Sequence, residues 1–294
     1  MQTEKAGSQG RKPIFSVLVA NYNNGTFFKD CYQSLCNQTY KDFEVVIVDD
    51  CSTDDSVQLI QDTIKGDARC RLFLNDQNRG CGFTKSRCVE LALGTICGFV
   101  DPDDAIRADA IQTLVMAHEA NPDVALVYST FTFCNKDLQP LEVYATAGPV
   151  TVTPSFTNLD GKVNHFATFK RSFYNKTSGI DTGLRRAVDQ DLYLKLSETG
   201  KFHFVNQALY NYRIHDSGIA TANVDKAFYW FLKVIAKAEE RRNINLESEV
   251  GVFLNRTNPK NLTQNLSNPR YLLVKLRDAF KAKPTRFIKR LLVG

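Results

Sequence analysis

Several apolar runs in this chain stop abruptly at polar clusters, and that repeat restricts the fold more than any other feature. "PIFSVLVANYN" passes from apolar residues into Asn and Tyr, and "FEVVIVDD" ends at Asp49 and Asp50. "RLFLN" ends at Asn75, and "TICGFVDPDD" ends at Asp101, Asp103 and Asp104. Near-continuous runs of this length read as strands buried on both faces. Between them lie segments with helical spacing: "TFFKDCYQSLCNQ", "STDDSVQLIQDTIK", "FTKSRCVELAL" and "AIRADAIQTLVMAHEAN". In the first, Phe28, Cys31, Tyr32 and Leu35 share one face. In the second, Ser52 or Thr53 is expected to cap a helix whose first turn carries Asp54 and Asp55. The alternation predicts an α/β fold with a mostly parallel sheet flanked by helices. Ligands of such sheets gather at the carboxyl ends of the strands, so "ANYN", "DDCSTD", "NRG" and "DPDD" are expected to converge on one edge.

"DVALVYSTFTF" reads as one more strand, and past about Asp137 the pattern becomes irregular. "LRRAVDQDLYLKLSETG" then predicts a helix ended by Gly200, "KFHFVNQALYNYRIH" a hairpin or two short strands, and "NVDKAFYWFLKVIAKAEERRN" a long amphipathic helix. With 294 residues, 43% hydrophobic and 23% charged, the composition is that of a soluble globular protein, and no apolar run reaches membrane-spanning length. The polar start "MQTEKAGSQGRKP" lacks an apolar core and reads as a disordered lead-in over 1–12, which points to the cytoplasm. Eight scattered cysteines, without CxxC or zinc spacing, are expected to be reduced thiols. The net charge of +5 is modest, and no nucleic-acid partner is expected.

Neither GxGxxG nor GxxxxGK[ST] occurs, so a nucleotide's phosphates would need another counter-charge, such as a divalent cation on clustered carboxylates. Taken together, "SVLVANYNN", "SLCNQTYKDFEVVIVDDCSTDDS", "NRGCGFTKSRCVELALGTICGFVDPDDAI" and "VDQDLYLKL" resemble the GT-A glycosyltransferases of the family 2 type over about the first 215 residues. That resemblance implies a GT-A fold, Rossmann-like, with a catalytic domain over 13–220. Its nucleotide-sugar half would span 13–135 and its acceptor half 136–220, followed by a C-terminal helical region over 221–294. It implies a hexosyl- or N-acetylhexosaminyl-transferase moving sugar from a nucleotide-sugar donor, UDP-linked, with inversion, in surface polysaccharide assembly.

Residue by residue, Asp101 and Asp103 match the family's DxD, which holds Mn²⁺ or Mg²⁺ on the donor diphosphate, with Pro102 stiffening the loop between them. Asp104 matches a further family acid and equally reads as a helix-start residue. Asp49 and Asp50 match the acidic pair that meets the base, while Ala20 and Tyr22 match the loop against base and ribose. Asn78 and Gly80 match the "NxG" turn. Lys85 and Arg87 lie where the family carries a basic residue near the donor, or on a solvated helix face. Asp189 matches the Asp of the family's "ED" motif, the base that takes the acceptor proton, with Val188 where Glu is commoner. Asp191 lies about 200° away on that helix and reads as structural. His215, in "YRIH", is a candidate third metal ligand supported by Arg213.

The end of the chain, "RYLLVKLRDAFKAKPTRFIKRLLVG", is a basic amphipathic segment. It suits either an anionic lipid surface, reached through 268–294 as a peripheral contact, or packing on the domain with its basic face in water. The resemblance implies a glycan or lipid-linked acceptor, and one built on a lipid carrier would fit the first. Two other classes compete: a catalytically silent glycan- or partner-binding module that keeps the fold, and a phosphatase-type hydrolase with Asp101 as nucleophile and Asp103 as acid.

Overall fold

The computed structural model describes residues 12–215 and 224–246. The lead-in, the basic tail over 268–294 and most of the segment after His215 lie outside the described residues. In chain order the elements are β1 (Phe15–Asn21), α1 (Gly25–Cys36), β2 (Phe43–Asp49), α2 (Ser56–Thr63), β3 (Cys70–Leu74) and α3 (Cys81–Leu91). Then come β4 (Ile96–Phe99), β5 (Ala105–Ile106), α4 (Ala110–Ala120), β6 (Val124–Cys134), β7 (Pro140–Val143) and β8 (Ala167–Lys170). α5 (Arg171–Tyr174), α6 (Val188–Leu196), β9 (Lys201–Arg213) and α7 (Val224–Arg242) complete the set.

One sheet runs β3-β2-β1-β4-β8-β6-β9-β5, with β7 paired to β6. The expected parallel arrangement holds from β3 to β4. Beyond β4 the sheet is mixed: β8 is antiparallel to both its neighbours, while β9 runs parallel to β6. Register places Asn21 beside Asp49 and Leu18 beside Phe99, so the loops after β1, β2 and β4 leave from the same edge. The two faces of each strand sort by the period of two. Val17, Val19, Val45 and Ile47 pack with Phe28, Cys31 and Leu35 of α1. Leu18, Val46 and Val48 pack on the opposite face with Cys88 and Val89 of α3 and Leu192 of α6. Each such fully buried side chain contributes about 1.5–3 kcal/mol of transfer free energy. All eight cysteines are free. No helix among the described residues is long and apolar enough to cross a membrane.

Three expectations about elements change. α2 begins at Ser56, with Asp55 at its cap position, and Ser52 and Thr53 do not cap it. Ser52 instead donates both its N–H and its Oγ–H to Asp49, at 2.8 and 2.6 Å, which draws it back toward β2. The segment 201–213 is one continuous strand, because exposed Asn206 and Gln207 form a bulge rather than a turn: Tyr128 faces Phe204 and Thr130 faces Ala208. Asp104 does not open a helix. α4 starts at Ala110, and Asp104 stands directly before the short β5.

Gly82 shows how α3 and the loop before α6 fit together. A Cβ there would meet the Asp181 carbonyl oxygen, and the Leu184 oxygen at 2.7 Å, and the Gly82 N–H donates to that Leu184 oxygen at 2.9 Å. Both obstacles are backbone, so Gly82→Ala is expected to destabilise the fold by about 1–3 kcal/mol. Urea unfolding checks this; a midpoint equal to wild type would show that the loop can shift without cost.

Candidate functional site

At the end of β2, Asp49 is fully buried and serves the loop itself. It accepts hydrogen bonds from Asn21 Nδ2 at 2.7 Å and from Ser52. Asp50, also buried, reaches across to the "NRG" turn: Oδ1 accepts from Asn75 Nδ2 (2.7 Å) and Arg79 N–H (2.9 Å), and Oδ2 from Gly80 N–H (2.7 Å). A carboxylate offers about four acceptor places, so one place on Oδ2 stays available to a ligand. Gly80 has φ of +90°, a conformation open to glycine, and a Cβ there would strike the Arg185 guanidinium at 2.7 Å. Asn78 Oδ1 accepts from that same guanidinium at 3.2 Å. Ala20 is partly buried against the core, whereas Tyr22 is 46% exposed beside the loop and is not core.

Lys85 and Arg87, indistinguishable on α3 by sequence, part company. Arg87 donates to Leu74 O at 2.9 Å and to Asn75 Oδ1, so it holds the end of β3 and neither meets the acids nor lies on a free solvated face. Lys85 turns inward. Its side chain is 5% exposed and its Nζ lies 2.8 Å from Asp189 Oδ1 and 3.6 Å from Asp101 Oδ1. Nζ also stands 4.9 Å over the Phe99 ring. Burial works against its charge, yet Asp101 and Asp189 outweigh it and hold the ammonium well above its ordinary pKa.

The DPDD loop is held from β9. Tyr210 Oη accepts from Asp101 N–H at 3.1 Å and donates to Asp104 Oδ2 at 2.7 Å. Asp104 Oδ1 accepts from Arg213 N–H at 2.7 Å. Burial, followed by the charges of Asp103 and Asp101, raises the Asp104 carboxyl well above the usual range. Arg213 donates to Asp103 O (2.6 Å), Asp30 Oδ2 (2.8 Å) and Lys136 O, and its guanidinium lies 4.8 Å over Phe27. His215 Nε2 lies 2.9 Å from Asp103 Oδ2. Pro102 is buried between the two acids.

α6 follows Ala187, whose φ of +56° swings the chain into the helix, and Val188 enters the core where the family more often has Glu. Asp189 therefore faces Lys85. Burial opposes its charge, but Lys85 and then His165 hold the carboxyl below its ordinary pKa. Asp191, buried, pairs with Lys195 at 2.7 Å and accepts from Asp181 N–H at 3.0 Å, the structural role expected. A cleft of about 600 Å³ lined by Ser86, Glu90, Tyr174, Asp191 and Lys195 opens on the other flank of α6 and contains none of the strand-end residues.

Among the described residues no group of three or more His, Cys, Asp and Glu is arranged to hold a metal. Asp103 and His215 offer two adjacent donors, while Asp101 is turned to Lys85. An oxygen and an imidazole nitrogen suit a divalent cation that takes its remaining ligands from diphosphate oxygens and water. The fit is to a cation arriving with its nucleotide rather than to a cage built wholly by the protein. Sequence reasoning missed the bridging place of Lys85 and did not single out Arg185, His165 or Tyr212; none has a spacing that marks it.

This is the architecture of a GT-A fold enzyme, with the strand-end loops and the DPDD loop at one edge of the sheet and the start of α6 joined to them through Lys85. Residues 16–178 match the family described as Glycosyl transferase family 2, and the chain belongs to it. A chondroitin synthase of Escherichia coli is 30% identical over 236 residues, covering 80% of this chain and 34% of that protein. The chain thus spans about a third of that relative's length. S. aureus TarS 1-349 in complex with UDP-GlcNAc superposes with a TM-score of 0.71 at 20% identity, covering 95% of this chain and 83% of that one. Mannosyltransferase PcManGT from Pyrobaculum calidifontis, in complex with GDP-Man and Mn2+, gives 0.58 at 17% identity, covering 100% and 88%.

Proposed function

We propose that this chain is a metal-dependent inverting glycosyltransferase moving a sugar from a UDP-linked donor to a glycan or lipid-linked acceptor during polysaccharide assembly. The observation that carries the reading is the placement of Asp189 and Asp101 on one buried cation, Lys85, at the strand-end edge. In this reading Asp189, kept ionised by Lys85, takes the proton of the acceptor hydroxyl. The freed oxygen forms the new bond at the anomeric carbon as the bond to the diphosphate breaks on the opposite face, which inverts the centre. A cation bound through Asp103 and His215 would neutralise charge on the departing diphosphate. Asp50 Oδ2 has the acceptor place for a base N–H, and Ala20 and Tyr22 flank Asn21, whose carbonyl accepts from Asp50 N–H at 2.8 Å. The named relative and neighbours support the class, one being a chondroitin synthase and one a complex with UDP-GlcNAc. Action at the cytoplasmic face of a membrane, with the tail over 268–294 as lipid contact, belongs to the same proposal.

Thermal unfolding with nucleotides tests it directly. UDP at about 100 times its dissociation constant stabilises by about 2.7 kcal/mol, or roughly 5–10 °C in a domain of this size. The expected result is a shift for UDP or UDP-GlcNAc that grows with Mn²⁺, with the Mn²⁺ increment lost in Asp103→Ala. Equal shifts with and without Mn²⁺ would remove the metal from the proposal, and none with any nucleotide would remove the transferase.

A further inference from the structure

A wall of aromatic rings stands behind the DPDD loop, whose Asp101 shares Lys85 with Asp189. His165 stacks on Tyr210 with ring centroids 4.9 Å apart and an 18° interplanar angle, and on Tyr212 at 6.0 Å and 29°. Phe131 braces the wall, 6.1 Å from His165 and 5.6 Å from Tyr212, and Phe133 meets Tyr212 edge-on at 5.9 Å. Tyr210 is the tyrosine whose hydroxyl meets the Asp101 amide and Asp104, so the stack is anchored to the DPDD loop. His165 lies near enough for its charge to act on Asp189, and Tyr212 near enough to feel Asp104, Asp101, Asp103 and Asp189.

Unlike Tyr210, the outer two rings keep their polar tips open. Both residues are partly exposed. Among the described residues neither the ring nitrogens of His165 nor Tyr212 Oη has a hydrogen-bond partner, and none of these atoms is sealed from solvent. Rigid rings with unfilled donors and acceptors, converging on a candidate base, are what a polar ligand site requires. The roles proposed for the nucleotide base, the turn and the diphosphate do not use them: those residues lie on α3, in the loops after β1, β2, β3 and β4, and at His215 after β9.

We infer that His165 and Tyr212 form the acceptor-sugar subsite, binding the hydroxyls of a pyranose and presenting one of them to Asp189. The inference rests on the transferase reading above and names its second substrate's seat. The rings, held by each other, fix two hydrogen-bonding tips, and a sugar hydroxyl that satisfies both is oriented without ordering a flexible side chain. β9 carries Tyr210 and Tyr212 and pairs along β6, which carries Phe131 and Phe133, and the segment just before β8 brings His165 onto them.

The test uses the full chain saturated with UDP and Mn²⁺, with methyl β-glycosides of glucose, galactose and N-acetylglucosamine as probes. Saturation-transfer NMR reads their ring protons. Tyr212→Phe and His165→Phe keep an aromatic ring and remove the polar atoms, and melting temperatures close to wild type establish that they fold. The expected result is a signal for at least one glycoside in the wild type, weakened fivefold or more in each variant, with UDP affinity changed less than twofold. Signals equal to wild type in both variants, or no signal for any glycoside in a wild type that binds UDP, would overturn the subsite alone. Variants that lose UDP affinity in step with the glycoside signal would also overturn it, since a seat for the acceptor has no direct part in holding UDP. A wild type that binds neither UDP nor UDP-GlcNAc would overturn the transferase reading beneath it.

Discussion

Asp189→Asn is expected to lower the turnover number for sugar transfer by about 10³-fold while leaving the affinity for UDP nearly unchanged. General-base catalysis contributes about 10²–10⁴-fold. The side chain sits at the start of α6 with one-third of its surface exposed, and Asn keeps its shape while removing its ability to accept a proton. Lys85 then loses a charged partner but keeps an oxygen at 2.8 Å, so the local geometry is expected to persist. Steady-state kinetics with a nucleotide-sugar donor, together with calorimetric titration of UDP, separate the two effects. Turnover within tenfold of wild type would remove Asp189 from the role of base.

Lys85→Met should be nearly as damaging, on the order of 10²-fold in turnover, by a different route. It leaves Asp101 and Asp189 facing one another without the cation between them. The sign of the pH effect follows from the causes acting on Asp189. In the wild type Lys85 and His165 outweigh burial and hold its pKa below the ordinary value, so the base stays ionised through the neutral range. Without Lys85 the burial contribution loses its largest opponent, His165 and a backbone hydrogen bond remaining, and the pKa rises. A base must be deprotonated to act, so the acidic limb of the kcat/KM profile is expected to move to higher pH in the variant. The same depression contributes to folding stability above the unfolded carboxyl's pKa, about 3.9, and that contribution is lost as pH falls through the folded value. Lys85→Arg keeps the charge and is expected to retain the wild-type limb. A profile that keeps its position in Lys85→Met would show that Lys85 does not set the ionisation of Asp189.

The architecture is legible in the sequence because its strands carry their signals locally. "FEVVIVDD" is apolar on both faces and ends where β2 ends, and the acids that follow emerge at the edge where they were expected. Asp191 was readable as structural from its angle on the helix alone. What failed to show locally was decided by contacts far along the chain. Lys85 and Arg87 both look like cations on a solvated helix, and only the arrival of α6, more than a hundred residues later, buries one of them. Asp104 resembles a helix-start acid until β9 supplies Tyr210 and Arg213 as its partners. Polar Asn206 and Gln207 imitate a turn, and only pairing with β6 carries the strand through them. His165 has no motif around it, and its neighbours become aromatic partners only when β6 and β9 lie side by side.

Arg213 has a mechanical consequence. One guanidinium, in a residue only 4% exposed, binds the backbone of the DPDD loop, the side chain of Asp30 on α1 and the backbone at Lys136 after β6. Three segments far apart in the sequence are riveted at a single point. Pulling these segments apart would strand a buried cation, an energetically steep path. The DPDD loop is therefore clamped to α1 and to the end of β6, which keeps its acids in place without a metal to hold them.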